Sequence, residues 1–284
     1  MYKYINLLMI PTDYCNMRCK YCFFDKNIHS KNKMDERTLY QVMKTTLPNY
    51  DRVSFIWHGG EPLSMGLDFY KDVIRIQEEI SKDYKVEIHN SIQSNLTLLT
   101  DEMADFFANH SFSISTSYDG ICNDITRGNS NQILAGRAKW LNYQDTCGVI
   151  MVASKININT LIASYLFFKE KGINFKINPY LGNDEALILD YDEYLQKMFQ
   201  LFEHWALDSE TKIIINSFAP IIEYILFHKK SLCTYTSCLG HWASIYYDGT
   251  IKPCNRYFPD EYSYGNILIT IRLTRHLNQM DLKN

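Results

Sequence analysis

Cys15-Asn16-Met17-Arg18-Cys19-Lys20-Tyr21-Cys22 decides how the chain is read. It places three thiols within eight residues, spaced C-x3-C-x2-C. An apolar run, Leu7 to Pro11, leads into it, and helix-like periodicity resumes near Asp35. Three thiolates on one loop can ligate three corners of a cubane [4Fe–4S] cluster, whereas a cluster held by protein alone normally takes four. The corner left over is a position where a small molecule can bind and react, as at a catalytic metal. A zinc knuckle and buried core cysteines are the alternatives. Zinc would want a fourth Cys or His at ligand spacing, and the nearest, His29, lies seven residues on with no paired partner.

The 284 residues are enough for one large α/β barrel or two ordinary domains. No apolar run approaches the ~18–20 residues of a membrane span. The start, Met1-Tyr2-Lys3-Tyr4-Ile5, lacks the charged-then-apolar plan of a signal peptide, so the expected location is cytoplasmic. Lys plus Arg number 29 against 32 Asp plus Glu, which gives no electrostatic footprint for nucleic acid. Eight cysteines fall as 15/19/22, isolated Cys122 and Cys147, and 233/238/254. Clusters of this kind without an export signal bind metal more often than they form disulfides. Cys122 and Cys147 read as small apolar residues.

Beyond the thiols, strands and helices alternate, the pattern of a parallel α/β fold. Strands are expected at Val53 to Trp57, Val86 to Gln93, Phe112 to Thr116, Val149 to Ala153 and Ile173 to Ile177. Helices are expected from Asp35 to Leu47, Leu67 to Lys82, about Asp101 onward, Asn131 to Tyr143 and Leu161 to Lys171. With the strand before Cys15, six β/α units point to a partial (β/α)6 TIM-like barrel. In parallel barrels, sites gather at the C-terminal ends of strands, and the distinctive stretches all fall there. They are the thiols, then Gly59-Gly60-Glu61-Pro62, Ser94-Asn95, and Ser117 with Asp119-Gly120. Strand parity puts Glu87, His89, Ser91, Gln93 and Asn95 on one face, and Ser113, Ser115 and Ser117 on another. Such polar faces fit a lumen with room for a polar ligand.

After Gly182 the character changes. Tyr191, Tyr194, Leu195, Met198, Leu201, Phe202 and Trp205 recur at helical spacing, and this stripe reads as core. A second helix near Ala219 to Lys229 leads to Cys233. The expected divisions are a barrel over 1–182, a helical connection over 183–231 and a Cys-rich region over 232–284.

The thiol spacing, with an aromatic directly before the third Cys, resembles the signature of the radical S-adenosylmethionine (SAM) superfamily. Gly59-Gly60-Glu61-Pro62, 37 residues after Cys22, is similar to that family's GGEP motif. Glycines there permit close backbone approach. The resemblance implies that Cys15, Cys19 and Cys22 hold a [4Fe–4S] cluster. It also implies that Gly59, Gly60, Glu61, Pro62 and Asn95 meet SAM, with the Glu61 carboxylate taking the methionine ammonium. By the same likeness Ser117 and Arg127 hold its ribose and carboxylate, and Tyr21 packs near adenine. Arg suits a carboxylate because its planar fork bonds bidentately.

The C-terminal stretch Cys233-x4-Cys238-x10-Gly249-x4-Cys254, followed by Tyr264-Gly265-Asn266, resembles the opening of a SPASM domain. That Cys-rich extension carries auxiliary [4Fe–4S] clusters in peptide-modifying radical SAM enzymes. Tyr246-Tyr247-Asp248-Gly249-Thr250 resembles its hairpin, with Asp-Gly at the turn. No Cys follows Cys254, so the domain reads as incomplete and the chain as truncated relative to that family. The tail from Leu268 to Asn284 is basic, with Arg272, Arg275, His276 and Lys283.

Sulfatase-maturating members of the family place Gln before GGEP and a catalytic Asp after the third SPASM Cys, where this chain has His58 and Asn255. The expected activity is therefore reductive SAM cleavage to a 5′-deoxyadenosyl radical that abstracts hydrogen from a ribosomally made precursor peptide. The product would be a crosslink, thioether or epimerised centre. Partners implied are the peptide, a flavodoxin- or ferredoxin-type electron donor and a separate leader-peptide recognition protein. Sulfatase maturation, a radical SAM reaction on another substrate class and a non-enzymatic metal-binding protein are the alternatives.

Overall fold

The computed structural model describes residues 3–22, 24, 32–229, 240–254 and 262–269. Strand β1 (Tyr4–Ile10) carries the thiol loop at its C-terminal end. It is followed by α1 (Glu36–Thr46), β2 (Arg52–Trp57), α2 (Leu67–Ser81), β3 (Glu87–Ser94), α3 (Asp101–Asn109) and β4 (Ser113–Ser117). Next come the one-turn α4 (Asn123–Thr126), α5 (Ser130–Trp140), β5 (Gly148–Ala153), α6 (Leu161–Glu170) and β6 (Phe175–Pro179). Two further helices, α7 (Tyr191–Leu207) and α8 (Ala219–Phe227), precede β7 (Trp242–Tyr246), β8 (Thr250–Lys252) and β9 (Gly265–Asn266). The expected α/β partial barrel is the fold found, with β1 to β6 pairing in parallel and in chain order.

Helix starts follow local chemistry. The Asp35, Thr100 and Asp190 side chains each accept the backbone N–H three residues on, opening α1, α3 and α7. Strand β6 begins two residues later than the apolar run predicts. Gly172, at φ +61, ends α6, and the Ile173 N–H donates to Phe168 O, so Ile173 closes the helix instead of opening the strand.

Strand alternation sorts the side chains into two faces. Ile5, Leu7 and Met9 of β1 and Val53, Phe55 and Trp57 of β2 are fully buried with Leu39 and Val42 of α1 and Tyr70 and Val73 of α2. Tyr70 meets Trp57, Phe107 and Phe112 edge-on, the rings 4.9–6.0 Å apart, an arrangement aromatic quadrupoles favour. Truncating Trp57 to Ala here would cost about 3–5 kcal/mol. Asn90 breaks the apolar pattern of this face without leaving it. Its amide oxygen accepts from Trp57 Nε1 and Gln77 Nε2, and its Nδ2 donates to Gln77 Oε1. A second cluster joins β5 and β6 to Tyr165 and Phe168 of α6, Leu201 of α7 and Phe218. Of the stripe read as core on α7, Leu201 is buried in it and Tyr194, Met198, Phe202 and Trp205 pack alongside, whereas Tyr191 and Leu195 are exposed, their side chains turned to solvent and not to α6 and the sheet.

The other face bears the polar rows that parity predicts. His89, Ser91 and Gln93 of β3 and Ser113, Ser115 and Ser117 of β4 are exposed or half-buried, while Ile92, Ile114 and Thr116 between them are buried. Gln93 Nε2 donates to Ser117 Oγ at 3.0 Å, tying the two rows together.

The C-terminal hairpin takes a place that sequence gives no hint of. Asp248 and Gly249 (φ +84) make its turn, with the Asp248 carboxylate accepting the Thr250 N–H. β7 and β8 pair antiparallel, yet β7 pairs in parallel with β1, Asn6 opposite Trp242 and Ile10 opposite Tyr246. The sheet order is β6-β5-β4-β3-β2-β1-β7-β8-β9, so β1 is an interior strand. Among the described residues no helix is long and apolar enough to cross a membrane.

Candidate active site

The loop after β1 is held from three sides. The Lys20 N–H donates to Thr126 O at 2.8 Å, which fixes the loop to the segment after β4. Asn16 donates to Thr97 Oγ1 and accepts from Asn95 Nδ2, which fixes it to the segment after β3. Arg18 folds back, Nη1 donating to the carbonyls of Cys15 and Met17. From β2, the N–H groups of Gly60 and Glu61 donate to Thr12 O and Tyr14 O.

The two glycines serve this last contact. A Cβ on Gly60 would stand 2.1 Å from Tyr14 O, and one on Gly59 (φ +111) 2.7 Å from Thr12 O. Both glycines thus let β2's end lie against the backbone leading into Cys15. Pro62 then opens a short 3-10 turn, and its carbonyl accepts the Tyr70 hydroxyl.

Glu61 is 1% exposed and already has three donors. Oε1 accepts the Leu63 N–H and the Ser94 hydroxyl, and Oε2 accepts the Asn95 N–H at 2.8 Å. Burial raises its pKa against these hydrogen bonds, which pull it back. Asn95 lies just past the end of β3, where Leu96 turns at φ +61. Its Nδ2 lies 3.9 Å from Cys15 Sγ.

Cys19 is buried, while Cys15 and Cys22 are partly exposed. Burial pushes the Cys15 thiol up to about 11; the Met17 N–H, 3.4 Å from its sulfur, opposes this, and Glu61, Cys19 and Cys22 add to it. Cys19 is raised by burial too, with Arg127 opposing. Two thiols with raised pKa, beside a third whose charge adds to the repulsion, suit a cationic group that deprotonates them outright. Among the described residues no three His, Cys, Asp or Glu side chains converge on one point as ligands of a single ion would. A cubane offers each thiolate its own iron.

Arg127 lies close enough to Cys19 for its charge to be felt there. Its Nη1 donates to Tyr21 Oη at 2.7 Å, while its Nε is out of contact with solvent and has no partner. Burial alone would lower its pKa, but Tyr21, Cys19 and Asp119 outweigh this and hold it above the usual value. Asp119 is fully buried. It accepts the Val152 N–H and the Thr126 hydroxyl and so fixes the turn that presents Arg127. A guanidinium bonded to Tyr21 of the thiol loop and left with one unpartnered N–H fits the carboxylate of SAM, and Ser117 stands at the end of β4, the strand that precedes it. The residues present fit both groups.

His58, directly before the glycines, is on the lumen side of β2 by strand parity. Gly59 N–H donates to its Nδ1 at 2.6 Å, and burial lowers its pKa to about 4. The neutral ring therefore carries its proton on Nε2.

Asn16 and Thr97 escaped sequence reading, since neither belongs to a spacing pattern. Cys254, past β8, is partly buried. Cys233, Cys238, Asn255 and the basic residues from Arg272 onward lie outside the described residues. A cavity of about 620 Å³ lined by Ile162, Gln200, Glu203, His204, Leu207 and Asp208 lies on α6 and α7, and no residue of the thiol loop lines it.

Residues 9–186 match the Radical SAM superfamily. A cysteine-type anaerobic sulfatase-maturating enzyme of Clostridium perfringens is 26% identical over 291 residues, spanning 93% of this chain and 77% of that protein. The structure of native anSMEcpe with bound AdoMet superposes with a TM-score of 0.87 at 25% identity, covering 96% of this chain and 80% of that one. Streptococcus suis SuiB bound to its precursor peptide SuiA shares the fold, with a TM-score of 0.65 at 16% identity over 99% of this chain and 67% of that one.

Proposed function

Because the chain belongs to the radical SAM superfamily, an enzyme family using a [4Fe–4S] cluster and SAM, we propose that it modifies a ribosomally made precursor peptide. Cys15, Cys19 and Cys22 hold the cluster in this reading. Tyr21, Gly59, Gly60, Glu61, Pro62, Asn95, Ser117 and Arg127 form the SAM site. When bound, cluster and SAM supply a 5′-deoxyadenosyl radical that takes hydrogen from an unactivated C–H.

The chain's own residues orient and exclude. Asn95 Nδ2 and the Met17 N–H approach the Cys15 sulfur, and hydrogen bonds to cluster sulfurs tune such centres. Arg127 offers its unpartnered Nε to the methionine carboxylate, and Glu61 holds the GGEP turn against β3 so that its main chain faces SAM. The polar rows of β3 and β4 leave space for a substrate side chain.

The observation that carries the radical SAM chemistry is the convergence of the three-thiol loop and the unpartnered Arg127 Nε at one end of the parallel sheet. For the substrate, His58 carries most weight. Its Nε2–H is a directed donor where sulfatase-maturating relatives have Gln. Sulfatase maturation is the second reading, favoured by the 26% identity across 93% of the chain. Cys233, Cys238 and Cys254 would hold an auxiliary cluster in either case.

Anaerobic reconstitution with iron and sulfide, then reduction in the presence of SAM, should give methionine and 5′-deoxyadenosine. The Cys15→Ala/Cys19→Ala/Cys22→Ala variant should lose about four irons per chain. Co-expression with a short precursor peptide encoded beside the gene should shift that peptide by two hydrogens, or add deuterium at one Cα in D2O. Formylglycine formed on a sulfatase peptide, with no change in the precursor, would decide for the second reading.

A further inference from the structure

We propose that Thr97 is a positioning residue for the cluster. It sets the sense of a closed ring of hydrogen bonds through Asn95 and Asn16, so that Asn95 turns its amide N–H, and not its carbonyl oxygen, to the Cys15 sulfur. This rests on the radical SAM reading of the same site. A donor at a ligating sulfur stabilises the reduced, more negative form of a cluster and raises its reduction potential, whereas a lone pair there would do the reverse. The ring thereby fixes how readily the cluster is reduced.

The ring has three members. Asn95 Nδ2 donates to Asn16 Oδ1 at 2.9 Å, Asn16 Nδ2 donates to Thr97 Oγ1 at 2.8 Å, and the Thr97 hydroxyl donates to Asn95 Oδ1 at 2.7 Å. By themselves three such groups close equally well in either sense, with both amides flipped and the hydroxyl reversed. The backbone removes the choice. The Thr97 N–H, which can only donate, reaches the same Asn95 oxygen at 2.9 Å. That atom must therefore be the carbonyl oxygen, and Nδ2 takes the other side, toward Asn16 and 3.9 Å from Cys15 Sγ. One amide hydrogen serves Asn16, and the second is left for the sulfur.

The backbone is strained where this is arranged. Leu96, between the two ring residues, turns at φ +61, a region bulky side chains seldom adopt, and it is buried there. Such a conformation persists only where its surroundings over-determine it. Here they do. The Leu96 N–H donates to Ser94 Oγ, and the Asn95 N–H donates to Glu61 Oε2. Gly136 of α5 lies so close that a Cβ on it would stand 2.4 Å from Leu96 O. The turn folds Thr97 back on Asn95, whose oxygen collects both Thr97 donors. Asn95 is itself only 5% exposed, so little water competes for its amide.

The test is EPR-monitored potentiometry of the anaerobically reconstituted full chain, with dithionite and dye mediators and without SAM or peptide. Asn95→Ala should shift the reduction equilibrium about tenfold toward the oxidised cluster, ~59 mV for a one-electron couple. Thr97→Val keeps the backbone N–H but opens the ring, and should shift it the same way by about threefold. Thr97→Ser should restore the wild-type potential. Because Thr97 acts through Asn95, the Asn95→Ala/Thr97→Val double variant should match Asn95→Ala alone. Iron content should stay near wild type in both Thr97 variants, so this pair decides the proposal even where Asn95→Ala fails to load a cluster. A wild-type potential in Thr97→Val or in Asn95→Ala would overturn the proposal, as would additive shifts in the double variant. Failure of the wild type to take up a cluster would remove the radical SAM reading beneath the proposal, and the proposal with it.

Discussion

The backbone N–H of Asn95 donates to the Glu61 carboxylate, so the first residue past β3 is held by a residue four positions past β2. With the Ser94 hydroxyl and the Leu63 N–H on the other oxygen, Glu61 is a fastening between two strand ends. Glu61→Gln would turn an amide NH2 toward at least one of these donors. The expected result is a loss of about 1–3 kcal/mol in urea unfolding of the cluster-free protein, before any SAM is added. If Glu61 instead acted only by taking the methionine ammonium, unfolding would be unchanged and calorimetric SAM affinity alone would drop.

Gly60 and Gly66 separate two kinds of glycine requirement. Gly60 has an ordinary φ but no room, with Tyr14 O 2.1 Å from a Cβ; Gly66 has φ +82 and nothing within 4 Å. Gly60→Ala should cost about 1–3 kcal/mol by overpacking and lower iron loading, because it displaces the backbone entering Cys15. Gly66→Ala should cost about 1 kcal/mol through its backbone conformation and leave iron loading intact. Equal iron content in the two variants would show that the Tyr14 contact does not set the loop.

Arg127→Lys keeps the charge and gives up the fork. It should weaken SAM binding by about 1.5–3 kcal/mol, the range for a hydrogen bond to a charged group, measured by titration calorimetry under argon. Iron content should stay near wild type, since Arg127 reaches Tyr21 and not a sulfur in any hydrogen bond seen here. Wild-type SAM affinity in this variant would remove Arg127 from the site.

Acid sensitivity should trace to Asp208. It accepts the Tyr165 hydroxyl at 2.6 Å and Lys169 Nζ at 2.7 Å, joining α6 to the end of α7. Lys169 first and Tyr165 second hold its carboxyl down at about 2, against an ordinary value of 3.8. A carboxyl depressed by folding stabilises above its unfolded pKa, and that contribution is lost as pH falls through the folded one. Urea midpoints should therefore fall between pH 4 and 2 in the wild type and fall less in Asp208→Asn. Parallel curves would show that the pair does not contribute.

Much of this was legible in the residues themselves. The thiol spacing, the glycine pair and the order of six strands are local signals, and the caps at Asp35, Thr100 and Asp190 start their helices where side chain and backbone meet within three residues. What stayed hidden depends on distant partners. Nothing near Glu61 announces Ser94 and Asn95, and nothing near Gly60 announces Tyr14. The pairing of β7 with β1 is carried by backbone groups that every residue possesses, so no side-chain pattern in Trp242 to Tyr246 could have named its neighbour.

That last pairing bears on when the protein can be finished. Both the backbone N–H and the side-chain amide of Asn6 donate to His241 O, 235 residues away. At about 5–20 residues per second of synthesis, the first strand waits roughly 10–50 s for its second neighbour, with one row of backbone groups open to misplaced partners. Nascent chains stalled before Trp242 should leave Cys15, Cys19 and Cys22 more reactive to a maleimide than released chains do. Iron delivery then belongs after Trp242 to Tyr246 have left the ribosome, and until that moment the strand that carries the thiols keeps one open edge.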